Sequence, residues 1–231
     1  MIIEFKHALK RAMNAVDLGK LDQVKPISTV FGFDRGKPID RYYIEKFLEA
    51  NSKDIKGHVL EIGDNSYTMQ YGATKVIKSD VLHATAGNPA ATIVADITKA
   101  DNIPSNSFDC IVLTQTLYLI YDIKAATKEL YRILKPHGVM LITVPGISQI
   151  SRYDMDNWGD YWRFTNLSAQ KLFEEVFTPS NIEVKTYGNV LVATAGLYGL
   201  AVEDLTPDKF EYNDKDYQLI ITARLVKDDQ L

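Results

Sequence analysis

From residue 58 onward, short apolar runs rich in β-branched residues alternate with helical patterns. This alternation predicts a single α/β domain, in which the strands form a parallel sheet and helices cross over between them. The predicted strands are 58–62, 75–78, 92–95, 108–114, 139–144, 182–186 and 217–225.

Three helices are predicted between these strands. The clearest begins at Asp122, which is placed to cap its first turn, and ends before Pro136 and Gly138. A second helix is expected to follow a cap at Ser168. The apolar stretch 190–202 predicts a third, packed at the edge of the sheet.

The N-terminal segment predicts an amphipathic helix, because its apolar residues recur at steps of three and four. They are Ile2, Phe5, Leu9, Met13 and Val16. Neither a continuous apolar run nor a small-residue cleavage site marks it as a targeting signal. We expect residues 1–56 to form a helical extension or lid and residues 57–231 to form the main domain. The helix packs either on its own domain or across a homodimer.

Charge and cysteine content limit the partners. The net charge is −4 and the sequence pI is about 5.6, so the chain has no basic surplus for nucleic acid or an anionic membrane. No apolar run approaches the ~20 residues that a membrane span needs. The single cysteine, Cys110, lies in an apolar run, which predicts a buried free thiol in a reducing, cytoplasmic setting.

Acidic residues stand near the ends of three predicted strands. Glu61 comes two positions before Gly63 at the end of the first strand, Asp80 follows 19 residues later, and Asp96 follows the third strand. Ligands of open α/β sheets bind at the carboxyl ends of the strands, and a ribose-binding acid is expected about 20 residues after the glycine turn. Each acid alone fits a loop or helix cap equally well. Together they predict a nucleoside ligand.

The turn after the first strand argues against a dinucleotide. A pyrophosphate site would require further glycines, but Asn65 and Ser66 follow Gly63. The acids Glu61 and Asp64 would repel a pyrophosphate and attract an ammonium or sulfonium group. A nucleotide-dependent oxidoreductase is therefore disfavoured.

Several stretches resemble the class I S-adenosylmethionine-dependent methyltransferases of the type 11 group. They are VLEIG at 59–63, Asp80, VADIT at 94–98, NSFDCIVLTQTL at 106–117 and LYRILKPHGVMLITVPG at 130–146. The resemblance implies a Rossmann-like sheet that is mostly parallel with one antiparallel strand, helices on both faces and an N-terminal helical extension. The chain departs from the usual pattern at Asn65 and Tyr67, where such enzymes often have further glycines.

The resemblance also implies which residues bind S-adenosylmethionine and its product S-adenosylhomocysteine. Glu61 would hold the methionine amino group, Asp80 the ribose and Asp96 the adenine, while Gly63 would admit the cofactor to the backbone. Thr114 and Gln115 would line the methyl-bearing end. The full set is Glu61, Ile62, Gly63, Asp64, Asn65, Asp80, Val81, Asp96, Ile97, Thr114 and Gln115.

Two segments are placed to cover an acceptor, 34–43 and the aromatic, aspartate-rich loop 146–165. We expect Arg41, Tyr42, Tyr153, Trp158, Tyr161 and Arg163 to bind the acceptor, since flat rings and polar groups suit a polyhydroxylated or aromatic molecule. Trp162 and Phe164 are expected to anchor the loop. The candidates for a general base are Asp154, Asp156, Asp160 and Tyr118. No ligand cluster has metal spacing, so we predict that no metal is needed.

These features predict an enzyme that methylates a small molecule, by O-methylation of a sugar or a secondary metabolite. N-methylation of a small molecule and a non-catalytic, cofactor-binding subunit are the alternatives.

Overall fold

A computed structural model of the chain describes Gly19 and residues 22–229, so the predicted N-terminal amphipathic helix lies outside it. The described residues form a seven-stranded sheet with the order β3-β2-β1-β4-β5-β7-β6. The strands are β1 (Gly57–Ile62), β2 (Val76–His83), β3 (Ile93–Val94), β4 (Phe108–Thr114), β5 (Leu134–Pro145), β6 (Ile182–Tyr187) and β7 (Ile220–Val226).

All strands but one run in the same direction. β7 pairs antiparallel with both β5 and β6, whereas the other pairings of the sheet are parallel. This confirms the predicted mostly parallel sheet with one antiparallel strand. From the adjacent strands β1 and β4, later strands are added outward in opposite directions. The carboxyl ends of β1 and β4 therefore form a topological switch point, where such sheets bind ligands.

Helices cover both faces of the sheet. They are α1 (Ile39–Ala50), α2 (Ile123–Ile133), α3 (Arg152–Asn157), α4 (Asn166–Glu174), α5 (Val190–Leu197) and α6 (Asp208–Glu211). On one face, α2 and α4 pack against a core that includes Leu60, Ile111 and Ile142. On the other, α1 packs against Val59, Cys110 and Leu141. The prediction that Cys110 is a buried thiol is confirmed.

Helix α1 belongs to this shared core. Its residues Ile44, Phe47 and Leu48 pack on the sheet, and Ile39 and Tyr43 pack against α5 and residue Phe210. A division of the chain near residue 56 stays a prediction, although α1 buries its apolar face on the main domain.

Helix α2 has the expected start. The side chain of Asp122 accepts a hydrogen bond from the backbone N–H of Ala125. Its last turn is held by the buried Lys227, whose Nζ donates to the carbonyl oxygens of Tyr131 and Leu134 at 2.8 and 2.7 Å. Carbonyls at a helix end lack partners within the helix, so this buried cation takes the place of the missing donors.

The cap of α4 differs from the prediction. Thr165, not Ser168, precedes the helix, and its side chain accepts from the backbone N–H of Ser168. Ser168 returns the bond, since its hydroxyl accepts from the N–H of Thr165 at 3.0 Å. The two residues form a reciprocal capping box, a motif in which both satisfy free N–H groups.

Within residues 22–229, no helix combines the length and the apolar character that crossing a membrane requires.

Candidate active site

Two cavities open at the carboxyl ends of the parallel strands. The first, here the strand-end cavity, has a volume of about 630 Å³ and is walled by residues at the ends of β1, β2, β3 and β4. The second, here the acidic cavity, has a volume of about 320 Å³ and lies between α1, β1 and the loop that follows β5. Both are lined by Ile62, Thr114 and Gln115, so the cavities adjoin at these residues.

Gly63 leaves one side of the β1 turn open to the strand-end cavity. Its φ is +87°, a conformation that residues with a side chain rarely adopt, and a Cβ at this position would meet no atom within 4 Å. Asn88 donates to the carbonyl oxygen of Gly63 at 2.6 Å and so fixes the peptide. No side chain therefore covers the backbone at Gly63, where a ligand in the strand-end cavity would approach it.

Glu61 organises the turn from inside. Its carboxylate accepts from the backbone N–H groups of Tyr67 and Thr68, at 3.3 and 2.7 Å. The side chain is buried, and burial raises the pKa of Glu61 to about 7. Glu61 therefore ties residues 67 and 68 to the end of β1 and reaches the wall of the acidic cavity.

The strand-end cavity combines two aspartates, Asp96 and Asp122, with aromatic rings. Asp96 follows β3 and uses one carboxylate oxygen to accept from both the backbone N–H and the hydroxyl of Thr98, each at 2.8 Å. His83 ends β2, and its ring meets Trp158 edge to face with 5.2 Å between the ring centroids. Tyr161 lines the same cavity. A carboxylate beside aromatic rings suits a nucleoside, which presents hydroxyls, an amino group and a flat base.

Asp80 does not lie in this cavity. β2 continues to His83, so Asp80 is inside the strand, opposite Leu60 of β1. Its carboxylate accepts from His58 Nε2 at 2.6 Å and from Thr92 Oγ1 at 2.8 Å, and it pairs with Lys78. These partners hold the pKa of Asp80 at about 2, against the opposing effect of its burial. The expectation that Asp80 ends the second strand was wrong, because His83 ends it, and the position of Asp80 outside the strand-end cavity does not support the ribose assignment.

Two other residues of the predicted cofactor set also lie outside both cavities. Val81 is buried within β2 and lines neither cavity. Asn65 donates its side-chain N–H to Ser79 Oγ at 3.1 Å and likewise lines neither. The structure brings together the rest of the set around the two cavities: Glu61, Ile62, Gly63, Asp64, Asp96, Ile97, Thr114 and Gln115.

Gln115 has a strained backbone at the junction of the cavities. Its φ is +46°, a left-handed conformation that costs a non-glycine residue on the order of 1–3 kcal/mol. Its backbone N–H donates to the carbonyl oxygen of Thr143 at 2.9 Å, and its side-chain amide donates to the Thr143 hydroxyl at 3.3 Å. Residues held in strained conformations cluster at functional sites, and this one adjoins both cavities.

In the acidic cavity, Tyr118 and Asp154 form a hydrogen-bonded pair. The Tyr118 hydroxyl donates to Asp154 Oδ2 at 2.9 Å. Burial, followed by the charge of Asp154, raises the pKa of Tyr118 well above its usual range. Tyr118 is thus a hydrogen-bond donor, and the expectation that it acts as a base is not supported. Asp154 keeps its place as a candidate base.

Asp160 and Arg163 hold the loop 146–165 together. The Asp160 side chain is inaccessible to solvent, pairs with Arg163 through both carboxylate oxygens and accepts from the N–H of Ser151 at 2.9 Å. Arg163 also donates to the carbonyl oxygen of Gln149 at 2.6 Å. Because these bonds occupy both side chains, neither is free to act as the general base or as a mobile substrate ligand, although both line the cavity.

Asp40 is a site residue that the sequence did not single out. It opens α1, lines the acidic cavity and accepts from the backbone N–H of Arg41 at 2.9 Å. Burial raises the pKa of the Asp40 carboxyl. Arg41 also lines the cavity, with its guanidinium 5.0 Å from the ring centroid of Phe33. The covering segment 34–43 contained both residues, but nothing in its pattern distinguished Asp40 from Asp34.

Three predicted acceptor or base residues lie outside both cavities. Tyr42 packs beside Phe210 and donates to Glu211 at 2.8 Å. Tyr153 is exposed, and Asp156 pairs with Arg152 on the surface of α3. The sequence predicts that Trp158 and Tyr161 bind the acceptor, but both line the strand-end cavity, because the loop folds back over β2 and β4. The expectation that Trp162 and Phe164 anchor this loop agrees with their packing on the core.

No group of three His, Cys, Asp or Glu side chains that could hold a metal ion occurs within the described part of the chain.

Comparison with known proteins agrees with this architecture. Residues 57–142 match the family described as methyltransferase domain. Over 73 residues, the chain is 27% identical to Probable polyketide synthase 10 of Dictyostelium discoideum, a match that covers 32% of this chain and 3% of that protein. The chain therefore corresponds to a small part of that relative.

Solved structures share the fold at low identity. The [4+2]-cyclase SpnF is 14% identical, with 85% of each chain covered and a TM-score of 0.54. Phosphoethanolamine N-methyltransferase 2 of Haemonchus contortus, in complex with S-adenosyl-L-methionine, is 16% identical, with 75% of this chain and 49% of that chain covered and a TM-score of 0.51.

These likenesses show the fold alone, and the family match supplies the domain type. Residues 57–142 thus match the methyltransferase domain family, and the described residues share their fold with a methyltransferase that was solved in complex with S-adenosyl-L-methionine.

Proposed function

We propose that the chain transfers the methyl group of S-adenosylmethionine to a hydroxyl group of a small, polyhydroxylated acceptor such as a sugar or a secondary metabolite. The observation that carries this proposal is the meeting of two cavities at Gln115. One cavity has the size and lining of a nucleoside site, and the other is polar and adjoins it. A methyl donor and an acceptor held in these cavities would meet at their junction.

The residues of the strand-end cavity fit the cofactor. The bare backbone at Gly63 accepts close approach, while Asp96 and His83 offer a carboxylate and an imidazole to the nucleoside beside the ring of Trp158. Asp64 and Glu61 line the acidic cavity next to Ile62, where they would face the cationic end of the cofactor. Fixed carboxylates stabilise a positive charge more strongly in a partly buried site than in water.

S-adenosylmethionine supplies an electrophilic methyl group on a positively charged sulfur. The chain contributes alignment and exclusion of water, which are the main requirements of an in-line displacement. Asp40 is the base that we favour, since its raised pKa and its position in the cavity wall suit removal of a proton from an acceptor hydroxyl. As the oxygen–methyl bond forms and the sulfur–methyl bond breaks, the hydroxyl proton passes to the Asp40 carboxylate.

Asp154 is the second candidate base. It already accepts a hydrogen bond from Tyr118, so one of its carboxylate oxygens has a partner. We therefore assign Asp154 to binding: the Tyr118–Asp154 pair offers one acceptor oxygen and a fixed geometry to an acceptor hydroxyl.

An amine is the alternative acceptor, and the charge of the acidic cavity favours it. The described residues that line this cavity include five acids, Asp40, Glu61, Asp64, Asp154 and Asp160, and two arginines, Arg41 and Arg163. An excess of carboxylates attracts a cation. Asp40 would then deprotonate the bound ammonium group before transfer.

Transfer of tritiated methyl from S-adenosylmethionine to panels of methyl glycosides and of primary amines tests the proposal. We expect labelled glycosides, and we expect Asp40→Asn to lower kcat by about 10²–10⁴-fold, the usual contribution of a general base. Asp156→Asn is the matched control, because Asp156 lies outside both cavities, and it should leave kcat unchanged.

Labelled amines instead of glycosides would favour the alternative acceptor. Binding of the cofactor without transfer to any member of either panel would contradict the proposed activity and favour a non-catalytic subunit.

A further inference from the structure

The acidic cavity continues into a small apolar pocket. The pocket has a volume of about 40 Å³. Its side toward the acidic cavity is lined by Phe31, Asp40, Gln115, Pro145, Ser148 and Gln149, and its other side by Ile39, Ile147, Gly196, Leu219 and Ile220. Asp40 and Gln115 line both the acidic cavity and this pocket, so they stand where the two join.

The side of the pocket that does not border the acidic cavity suits an apolar group. Ile39, Leu219 and Ile220 present aliphatic side chains there, which offer a water molecule none of the two to four polar partners that it needs. The volume corresponds to a group of the size of a methyl or an ethyl. Burying such a group removes apolar surface from water, which stabilises the complex.

Gly196 keeps the pocket open. It lies in helix α5, and its φ is outside the left-handed region, so the backbone conformation does not require glycine. Glycine inside a helix lowers the stability of the helix relative to alanine. A Cβ at this position would meet only Leu219 Cδ1, at 3.8 Å, and that side chain also lines the pocket. A side chain at residue 196 would therefore extend toward Leu219 and take up space at the pocket wall.

We propose that this pocket receives a methyl- or ethyl-sized apolar substituent of the acceptor, and that Gly196 sets its size. The inference rests on the proposed function for the identity of the rest of the acceptor. With a polyhydroxylated acceptor, it predicts a deoxy sugar or a comparable molecule in which an apolar branch adjoins the reacting hydroxyl. Asp40 then contacts the hydroxyl while the branch lies beyond it, and the apolar branch excludes water from the base.

Xenon binding tests the pocket independently of any acceptor. Crystals of the wild-type protein under xenon pressure should show xenon against Leu219 and Ile220, because xenon occupies dry apolar cavities. Gly196→Ala should lower the occupancy and Gly196→Val should abolish it. Leu197→Ala is the control, since Leu197 is the next residue of α5 and does not line the pocket. An absence of xenon in the wild type, or its retention in Gly196→Val, would overturn the inference.

A pair of acceptor analogues tests the specificity. Methyl α-D-galactopyranoside and methyl α-D-fucopyranoside differ only in a CH₂OH against a CH₃ group. In protein saturated with S-adenosylhomocysteine, ligand-detected NMR should show at least ~10-fold tighter binding of the fucoside, because the galactoside would have to bury an additional hydroxyl group against aliphatic side chains. In Gly196→Ala the two dissociation constants should be equal within about twofold.

Equal binding of the two glycosides by the wild type would overturn the inference. Xenon in the pocket with no binding of either glycoside would instead contradict the polyhydroxylated acceptor of the proposed function and leave the pocket as an apolar subsite for another acceptor class.

Discussion

The strand-end cavity and the acidic cavity adjoin at Gln115 but are built in different ways. Most of the strand-end cavity, from Ile62 to Asp122, lies inside the segment 57–142 that matches the methyltransferase domain family. The acidic cavity takes much of its wall from residues 31–44 and 145–163, which lie outside that segment. We therefore propose that the sheet determines cofactor binding, whereas the segments packed onto it determine acceptor choice.

The largest effect on cofactor affinity is expected at Gly63. Gly63→Val should weaken binding of S-adenosylhomocysteine at least ~100-fold, because the side chain would occupy the open side of the turn and the positive φ would be strained. Isothermal titration calorimetry measures the affinity. Gly87→Val is the matched control, since Gly87 also has a positive φ, at +111°, with no atom within 4 Å, and lines neither cavity. Equal losses in both variants would contradict a specific role for Gly63.

Glu61 should make stability depend on pH. Its pKa is raised from 4.5 to about 7 in the folded protein, so its contribution to the free energy of unfolding is fully present below pH 4.5 and is lost as the pH rises through 7. The difference corresponds to about 3 kcal/mol. Urea denaturation of the wild type and of Glu61→Gln between pH 5 and pH 8 measures it. A difference between the two proteins that does not change with pH would show that Glu61 titrates normally.

Substitutions of Asp96 and Asp80 should affect different properties, cofactor affinity for Asp96 and stability for Asp80. Asp96→Asn should weaken S-adenosylhomocysteine about 10-fold with little effect on unfolding, because Asp96 is exposed in the strand-end cavity. Asp80→Asn should leave the affinity unchanged and destabilise the fold by about 2 kcal/mol, because it removes the partner of His58 and Lys78. Calorimetry and urea denaturation of both variants check this, and a loss of affinity in Asp80→Asn would restore the ribose assignment.

The smallest effects are expected in the loop that covers the cavities. Trp158→Ala should weaken the cofactor by about 3–10-fold, since it removes a ring from the strand-end cavity. Tyr153→Ala should change the affinity less than twofold, because this exposed side chain lines neither cavity. Fluorescence titration with S-adenosylhomocysteine distinguishes the two. A larger effect at Tyr153 would mean that the loop closes differently when the ligand is bound.

The sheet could be predicted because its signals are local. Apolar runs locate each strand to within five residues, and Asp122 marks the start of α2 where the structure has it. The error at β2 shows the limit of such signals. The sequence predicts a strand that ends at Lys78, but Val81 and Leu82 continue it, which turns Asp80 from a strand end into an interior residue.

The loop residues could not be predicted in the same way, because tertiary contacts decide their roles. Asp154, Asp156 and Asp160 look alike in the sequence. In the structure, Asp154 accepts from Tyr118, Asp156 pairs on the surface and Asp160 is buried against Arg163. No periodicity or spacing encodes these differences, which arise from how the segment folds back on the sheet.

The central claim is that S-adenosylmethionine lies in the strand-end cavity with its methyl group directed toward Gln115 and the acidic cavity. A crystal structure with S-adenosylhomocysteine tests it most directly. The account predicts the adenosine among His83, Asp96 and Trp158, the sulfur next to Gln115, and no contact with Asp80. Density for the ligand beside Asp80 and His58, or with the sulfur facing away from the acidic cavity, would contradict it.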